Sequence, residues 1–128
     1  MKKPIKSLAD LKGLKIRVPK NAIMIETWKA LDAEPVPMAW PETFTALQQK
    51  VVDGQDNPHV VNYTMKFYEV QKYLVVSEHG AMEDVVLFNP AWWNALPGNY
   101  RTIIKDAFIE VIPELQAHKI NAVKEAFD

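Results

Sequence analysis

The 128-residue chain is predicted to adopt an α/β fold, a mostly parallel sheet flanked by helices that runs into a long, kinked C-terminal helical region. Three observations carry this expectation. Strand and helix patterns alternate over residues 15–38, a further helix and strand follow over 41–55, and a helical periodicity dominates after Pro97. With 48% hydrophobic and 24% charged residues, the composition suits one globular domain able to bury a core. No repeat, low-complexity run or Gly/Ser linker divides it, so 1–128 is read as a single domain.

Lys15-Ile16-Arg17-Val18 alternates charged and apolar side chains, which places Ile16 and Val18 on a core face and Arg17 on the other. Asn21 is suited to cap a helix whose Met24, Ile25, Trp28 and Leu31 form one apolar stripe, better explained by a core than by a cofactor. Pro35 to Met38 supplies a second short strand. Pro41 opens a second helix with Phe44, Leu47 and Val51 on one face and Gly54 available to end it, and the next strand begins near Gln55. Lys72 to Val76 and Asp84 to Phe88 are β-rich runs. Asn99 is placed to cap the C-terminal helical region, and Pro113 is expected to kink or break it near Ile112.

The net charge of −1, without a long basic run, gives no electrostatic reason to expect nucleic acid as a partner. Without cysteine there is no disulfide, thiolate nucleophile or cysteine-zinc site. Ser7 and Ser77 are the only serines, no nucleophile elbow surrounds either, and His59, His79 and His118 carry no triad signature. No enzymatic activity and no cofactor are expected. Lys2, Lys3 and Lys6 resemble the charged start of an export signal, but Ser7-Leu8-Ala9-Asp10 follows in place of an apolar stretch. If the chain were a complete gene product, the expected location would be cytoplasmic.

Arg17, Trp40 and the run Gly54-Gln55-Asp56-Asn57-Pro58 all fall near the carboxyl ends of predicted strands, where parallel sheets bind ligands. A guanidinium donates two parallel hydrogen bonds to a carboxylate, although a surface ion pair suits an arginine equally. Asn57 offers an amide donor or serves as a turn residue before Pro58. Trp40 presents a flat face to a carbon skeleton or fills a strand-helix junction. Glu78, His79, Glu83 and Asp84 include metal-compatible side chains, but their spacing matches no metal motif, so no metal site is predicted.

Four stretches carry a family resemblance: LADLKGLKIRVP (Leu8 to Pro19), PVPMAWPETFTALQQKVVDGQDNP (Pro35 to Pro58), MKFYEVQKYL (Met65 to Leu74) and DVVLFNPAWWNALP (Asp84 to Pro97). In order and spacing the chain resembles the second lobe of the DctP-type substrate-binding proteins of TRAP transporters, two-lobed periplasmic receptors that pass carboxylate-bearing solutes to a membrane permease. The resemblance implies a single lobe of a periplasmic-binding-protein-like fold in a periplasmic receptor for a small organic acid. It also implies roles: Arg17 grips the ligand carboxylate, Asn57 adds an amide donor, Trp40 walls the ligand, and His79 and Asp84 are further ligand-binding candidates. Asp56, where the family reads Glu, is not expected to face the ligand. Trp92 is a packing residue of a short helix.

The family's members are longer, so the chain is expected to be half a clamp: a cut piece, a fragment or a truncated gene. An isolated lobe would expose surface that normally crosses the hinge. The alternative expectation is therefore a free-standing homo-oligomer with an interaction role, associating through Ile104, Phe108 and Val111 and through Ile120, Val123 and Phe127.

Overall fold

Lys15–Val18 forms β1, the middle strand of a three-stranded parallel sheet with Glu34–Pro37 (β2) on one side and Gly54–Gln55 (β3) on the other. The register pairs Ile16 with Pro35 and Gly54, and Arg17 with Val36 and Gln55. Residues in one row point to the same face of a sheet, so Arg17, Val36 and Gln55 share a face and Ile16 and Val18 share the opposite one. Beyond the strand ends, Glu34 N–H donates to the Leu14 carbonyl (2.8 Å) and Met38 N–H to the Val18 carbonyl (3.0 Å). This is the α/β architecture that the alternating pattern predicts.

The computed structural model describes residues 3–80 and 85–127, and the chain divides into two compact units, residues 1–79 and 80–128. In the first unit, helix α1 (Ala22–Ala30) connects β1 to β2. Asn21 caps it as expected, its side-chain oxygen accepting from Met24 N–H at 3.1 Å. Ile16, Val18, Trp28, Leu11 and Ala33 form one buried cluster, with Met24, Ile25 and Leu31 packed at its margin. The other sheet face is covered by α2 (Thr43–Gln48), where Ala46, Leu47, Val52 and Phe67 form a second cluster joined by Val36, Met38 and Phe44.

Both helices stop without glycine. After α1, Asp32 takes a left-handed φ of 60°, Ala33 N–H bonds the Trp28 carbonyl and Asp32 N–H the Lys29 carbonyl. After α2, Lys50 at φ 61° does the same, with Val51 N–H on Ala46 and Lys50 N–H on Leu47. These paired bonds are the Schellman arrangement, which satisfies the carbonyls a helix end leaves open. Gly54 therefore does not end α2 as expected; it begins β3. Val51 lies beyond the helix and is half exposed. The helix starts later than expected as well, because Trp40–Glu42 forms a 3-10 turn ahead of it. Helix α3 (His59–Thr64) and a second 3-10 turn (Phe67–Glu69) follow β3.

The two predicted strands at 72–76 and 84–88 are not strands among the described residues. A strand persists only where a neighbour completes its hydrogen-bond ladder; neither run joins the described three-stranded sheet, and Leu74, Val76, Val85, Val86 and Leu87 stand exposed.

The second unit holds α4 (Pro90–Ala95) and α5 (Gly98–Glu125). Asn89 caps α4 through Ala91 and Trp92 N–H groups at 2.9 and 3.2 Å, with Pro90 in the first position. Phe88 stacks on Trp93 (4.8 Å) and Trp92 (5.7 Å) and meets Phe108 edge-on at 6.1 Å, so Trp92 has a packing contact as expected. The cap of α5 is Pro97, not Asn99, which lies one residue inside the helix. Pro113 does not break α5: the helix runs 28 residues through it and absorbs the missing N–H in its exposed interior. No residue of α5 is buried. No helix among the described residues is long and apolar enough to cross a membrane.

Candidate functional site

The chain leaves β1 for β2 on one side and returns from β2 to β3 on the other, so the order β2-β1-β3 reverses direction between β1 and β3. Open parallel sheets bind ligands at such a reversal, beyond the carboxyl ends of the strands. Arg17 and Gln55 are register partners across it.

Arg17 is only 4% exposed. Its Nη2 donates to the Met38 carbonyl at 2.8 Å, and its Cζ lies 5.4 Å from the centroid of the Trp40 ring. The 3-10 turn that starts at Trp40 brings this ring under the guanidinium, while the ring's edge contact with buried Phe67 (5.8 Å) holds it against the second core cluster. Arg17 Nε is buried without a hydrogen-bond partner, and no carboxylate among the described residues forms an ion pair with the group. Burial pushes the Arg17 pKa below its ordinary value, yet a guanidinium stays protonated at neutral pH. A buried cation with an orphaned donor is costly unless an anion completes it.

Asn57 lies just beyond β3. Its Nδ2 donates to Gln55 Oε1, Gln55 Nε2 donates to Asn62 Oδ1 (2.5 Å), and Asn62 Nδ2 returns to the Asn57 carbonyl (3.2 Å). Sequence reasoning singled out neither Gln55 nor Asn62. The available signal was strand parity, since Gln55 falls in the same row as Arg17; Asn62 required the helix that starts after Pro58.

Asp56 turns to other partners. Its Oδ2 accepts from Trp28 Nε1 at 3.3 Å and lies 3.2 Å from His79 Nε2. His79 Nδ1 is 2.6 Å from Ser77 Oγ, and its ring meets Trp28 edge-on at 5.8 Å. The structure thus brings Arg17 and Trp40 into contact and places Asn57 beside Arg17's row. It ties His79 to the residue preceding Asn57. Asp84 lies outside the described residues, as does Glu83 of the metal alternative. Among the described residues no group of three or more His, Asp or Glu side chains is arranged to hold a metal ion.

Residues 1–127 match the profile of the bacterial extracellular solute-binding proteins, family 7 (DctP). A sialic acid-binding periplasmic protein of Vibrio cholerae is 39% identical over 109 residues, 85% of this chain and 34% of the relative. A TRAP periplasmic solute-binding protein of Desulfovibrio salexigens, solved with bound orotic acid, is 54% identical with a TM-score of 0.89, covering 98% of this chain and 40% of that one. A TRAP periplasmic solute-binding protein of Shewanella oneidensis, solved with bound succinate, is 37% identical with a TM-score of 0.84, covering 97% of this chain and 42% of that one. The chain spans about a third of the length of the curated relatives it matches.

Proposed function

The chain belongs to the bacterial extracellular solute-binding proteins of family 7, and from that premise we propose that it is the carboxylate-gripping part of a TRAP-type receptor for a small organic acid. The observation that carries the reading is Arg17, a buried guanidinium without an acidic partner among the described residues and with Nε unsatisfied. An acid supplies the missing acceptors and the opposing charge at once. Trp40 forms the apolar wall beside it, and Asn57 adds a neutral donor that orients the carboxylate. His79 and Asp84 are proposed to contribute from the segment that follows. Periplasmic location and delivery to a membrane permease follow from the same reading, as do solute binding without catalysis and a place for the whole chain within one lobe.

Thermal unfolding of the purified chain against orotate, succinate and a panel of other organic acids tests the proposal. A ligand present at a hundredfold its Kd adds about 2.7 kcal/mol to the folded state. A shift with an acid but not with its primary amide supports an arginine-carboxylate contact, and equal shifts, or none, refute it.

The exposed apolar side chains of α5 and of the turn that follows it support a second reading, in which copies of the chain associate as a homo-oligomer. Phe108, Val111, Ile120, Val123 and Phe127 are each at least 39% exposed. A mass measured by light scattering across a concentration series decides it: a monomer that stays soluble at every concentration refutes association.

A further inference from the structure

We propose that Gln55 and Asn62 are positioning residues of the acid site: with Asn57 they close a ring of three amides that fixes which end of the Asn57 side chain faces a carboxylate. The inference rests on the reading of Asn57 as a ligand donor. The nitrogen and oxygen ends of a primary amide are alike in shape, so only hydrogen bonding tells them apart. At a carboxylate the difference is decisive, because N–H attracts the anion and the carbonyl oxygen repels it.

The ring's sense is set by a group that cannot reverse. The Asn57 backbone carbonyl only accepts, so the end of Asn62 facing it must be Nδ2, at 3.2 Å. Asn62 then turns Oδ1 toward Gln55, and the end of Gln55 that meets it must be Nε2, at 2.5 Å. Gln55 in turn offers Oε1, which selects Nδ2 of Asn57 as its partner. Each side chain is partly buried, so turning any one amide sets oxygen against oxygen away from bulk water, a costly arrangement. Asn57 keeps one N–H outside the ring, on the nitrogen that the ring has oriented. Gln55 is also the register partner of Arg17, which puts the oriented donor in the neighbourhood of the guanidinium.

The test uses the full chain, labelled with ¹⁵N, and the variants Asn62→Leu and Gln55→Met. The first removes the anchor on the backbone carbonyl; the second removes the acceptor for Asn57 and the donor to Asn62 without adding a charge. Side-chain amide signals of the ligand-free protein are read first. The proposal expects one slowly exchanging hydrogen on Asn57 in the parent chain and its loss in both variants, where Asn57 itself is untouched. Unchanged protection overturns the ring.

The second reading is selectivity for orotate over its primary amide. Each variant is expected to lower that preference tenfold or more, beyond any loss of affinity that the two ligands share, whereas a merely structural role would weaken both ligands alike. Retained preference in both variants overturns the positioning role. If the parent chain binds neither orotate nor succinate, the acid-site reading fails for those probes while the exchange measurement still decides the ring; if Asn62→Leu does not fold, Gln55→Met carries both measurements.

Discussion

Replacing Arg17 with Met is expected to leave the free protein nearly as stable as the parent while removing most of its affinity for acids. The guanidinium's bond to the Met38 carbonyl contributes about 1.5–3 kcal/mol, as hydrogen bonds of charged groups do. Its position over Trp40 adds about 0.5–2 kcal/mol. Against these stand about 1–3 kcal/mol for the orphaned Nε and a further cost of holding an unpaired charge at 4% exposure. The opposing contributions nearly cancel, so the stability change should stay within about 1 kcal/mol, because Met keeps an unbranched apolar stem and drops the charge. Binding changes by the value of the charged contacts alone, about 1.5–3 kcal/mol, a ten- to hundredfold loss in affinity. Urea unfolding without ligand, paired with titration calorimetry against whichever acid stabilises the parent, reads both quantities. A variant that loses more than about 3 kcal/mol of stability yet binds the acid as before would show that Arg17 is a structural cation and refute the reasoning.

Other consequences can be checked with simpler variants. Lys50→Gly should raise stability by about 0.5–1 kcal/mol in urea unfolding, since Lys50 sits at φ 61°, where glycine escapes the steric penalty of a Cβ. Leu47→Ala, at a side chain 2% exposed in the second cluster, should cost about 2–5 kcal/mol by the same measurement. Pro113→Ala restores a backbone donor inside α5 and should strengthen the helix by about 2–3 kcal/mol, read from its circular dichroism on heating. The Asp10 carboxyl accepts from Lys6 N–H, Ser7 N–H and Ser7 Oγ, and these bonds, that from Lys6 foremost, hold its pKa below the usual value. Its folded pKa therefore lies beneath the unfolded one, and the turn's support is present above about pH 4 and fades as pH falls through the lowered value. The Lys6 and Ser7 amide shifts should stay constant at neutral pH and move only in acid.

The parts of the fold legible in the sequence were those fixed by local chemistry. The alternation around Arg17 encodes β1, and the spacing from Asn21 to Leu31 encodes a capped helix with one core-facing stripe. Helix ends were harder, because Asp32 and Lys50 occupy a conformation that composition assigns to glycine, and only the bonds back to Trp28 and Ala46 reveal it. The runs at 72–76 and 84–88 carry strand chemistry, but pairing depends on a neighbour that local sequence cannot supply. At the site, residue type left Arg17, Trp40 and Asn57 open to structural roles, and it was the family resemblance that nominated them as ligand-binding candidates. Gln55 and Asn62 escaped notice because their importance lies in mutual geometry: a strand residue, a loop residue and a helix residue meet only once β3 and α3 are in place.

The two prolines of β2 have a consequence for how this sheet meets other chains. Glu34 and Met38 donate inward at either end of the strand, so by the two-residue period the nitrogens of Pro35 and Pro37 face outward. Proline has no N–H to offer there. The outer rim of β2 consequently carries acceptors but no donors along its prolines, and a foreign strand laid against it finds no reciprocal ladder. Growth of the sheet into fibrils or strand-swapped assemblies is blocked on that rim, and the opposite rim, β3, is only two residues long. Strand pairing along the rims of this sheet is therefore a poor route to self-association.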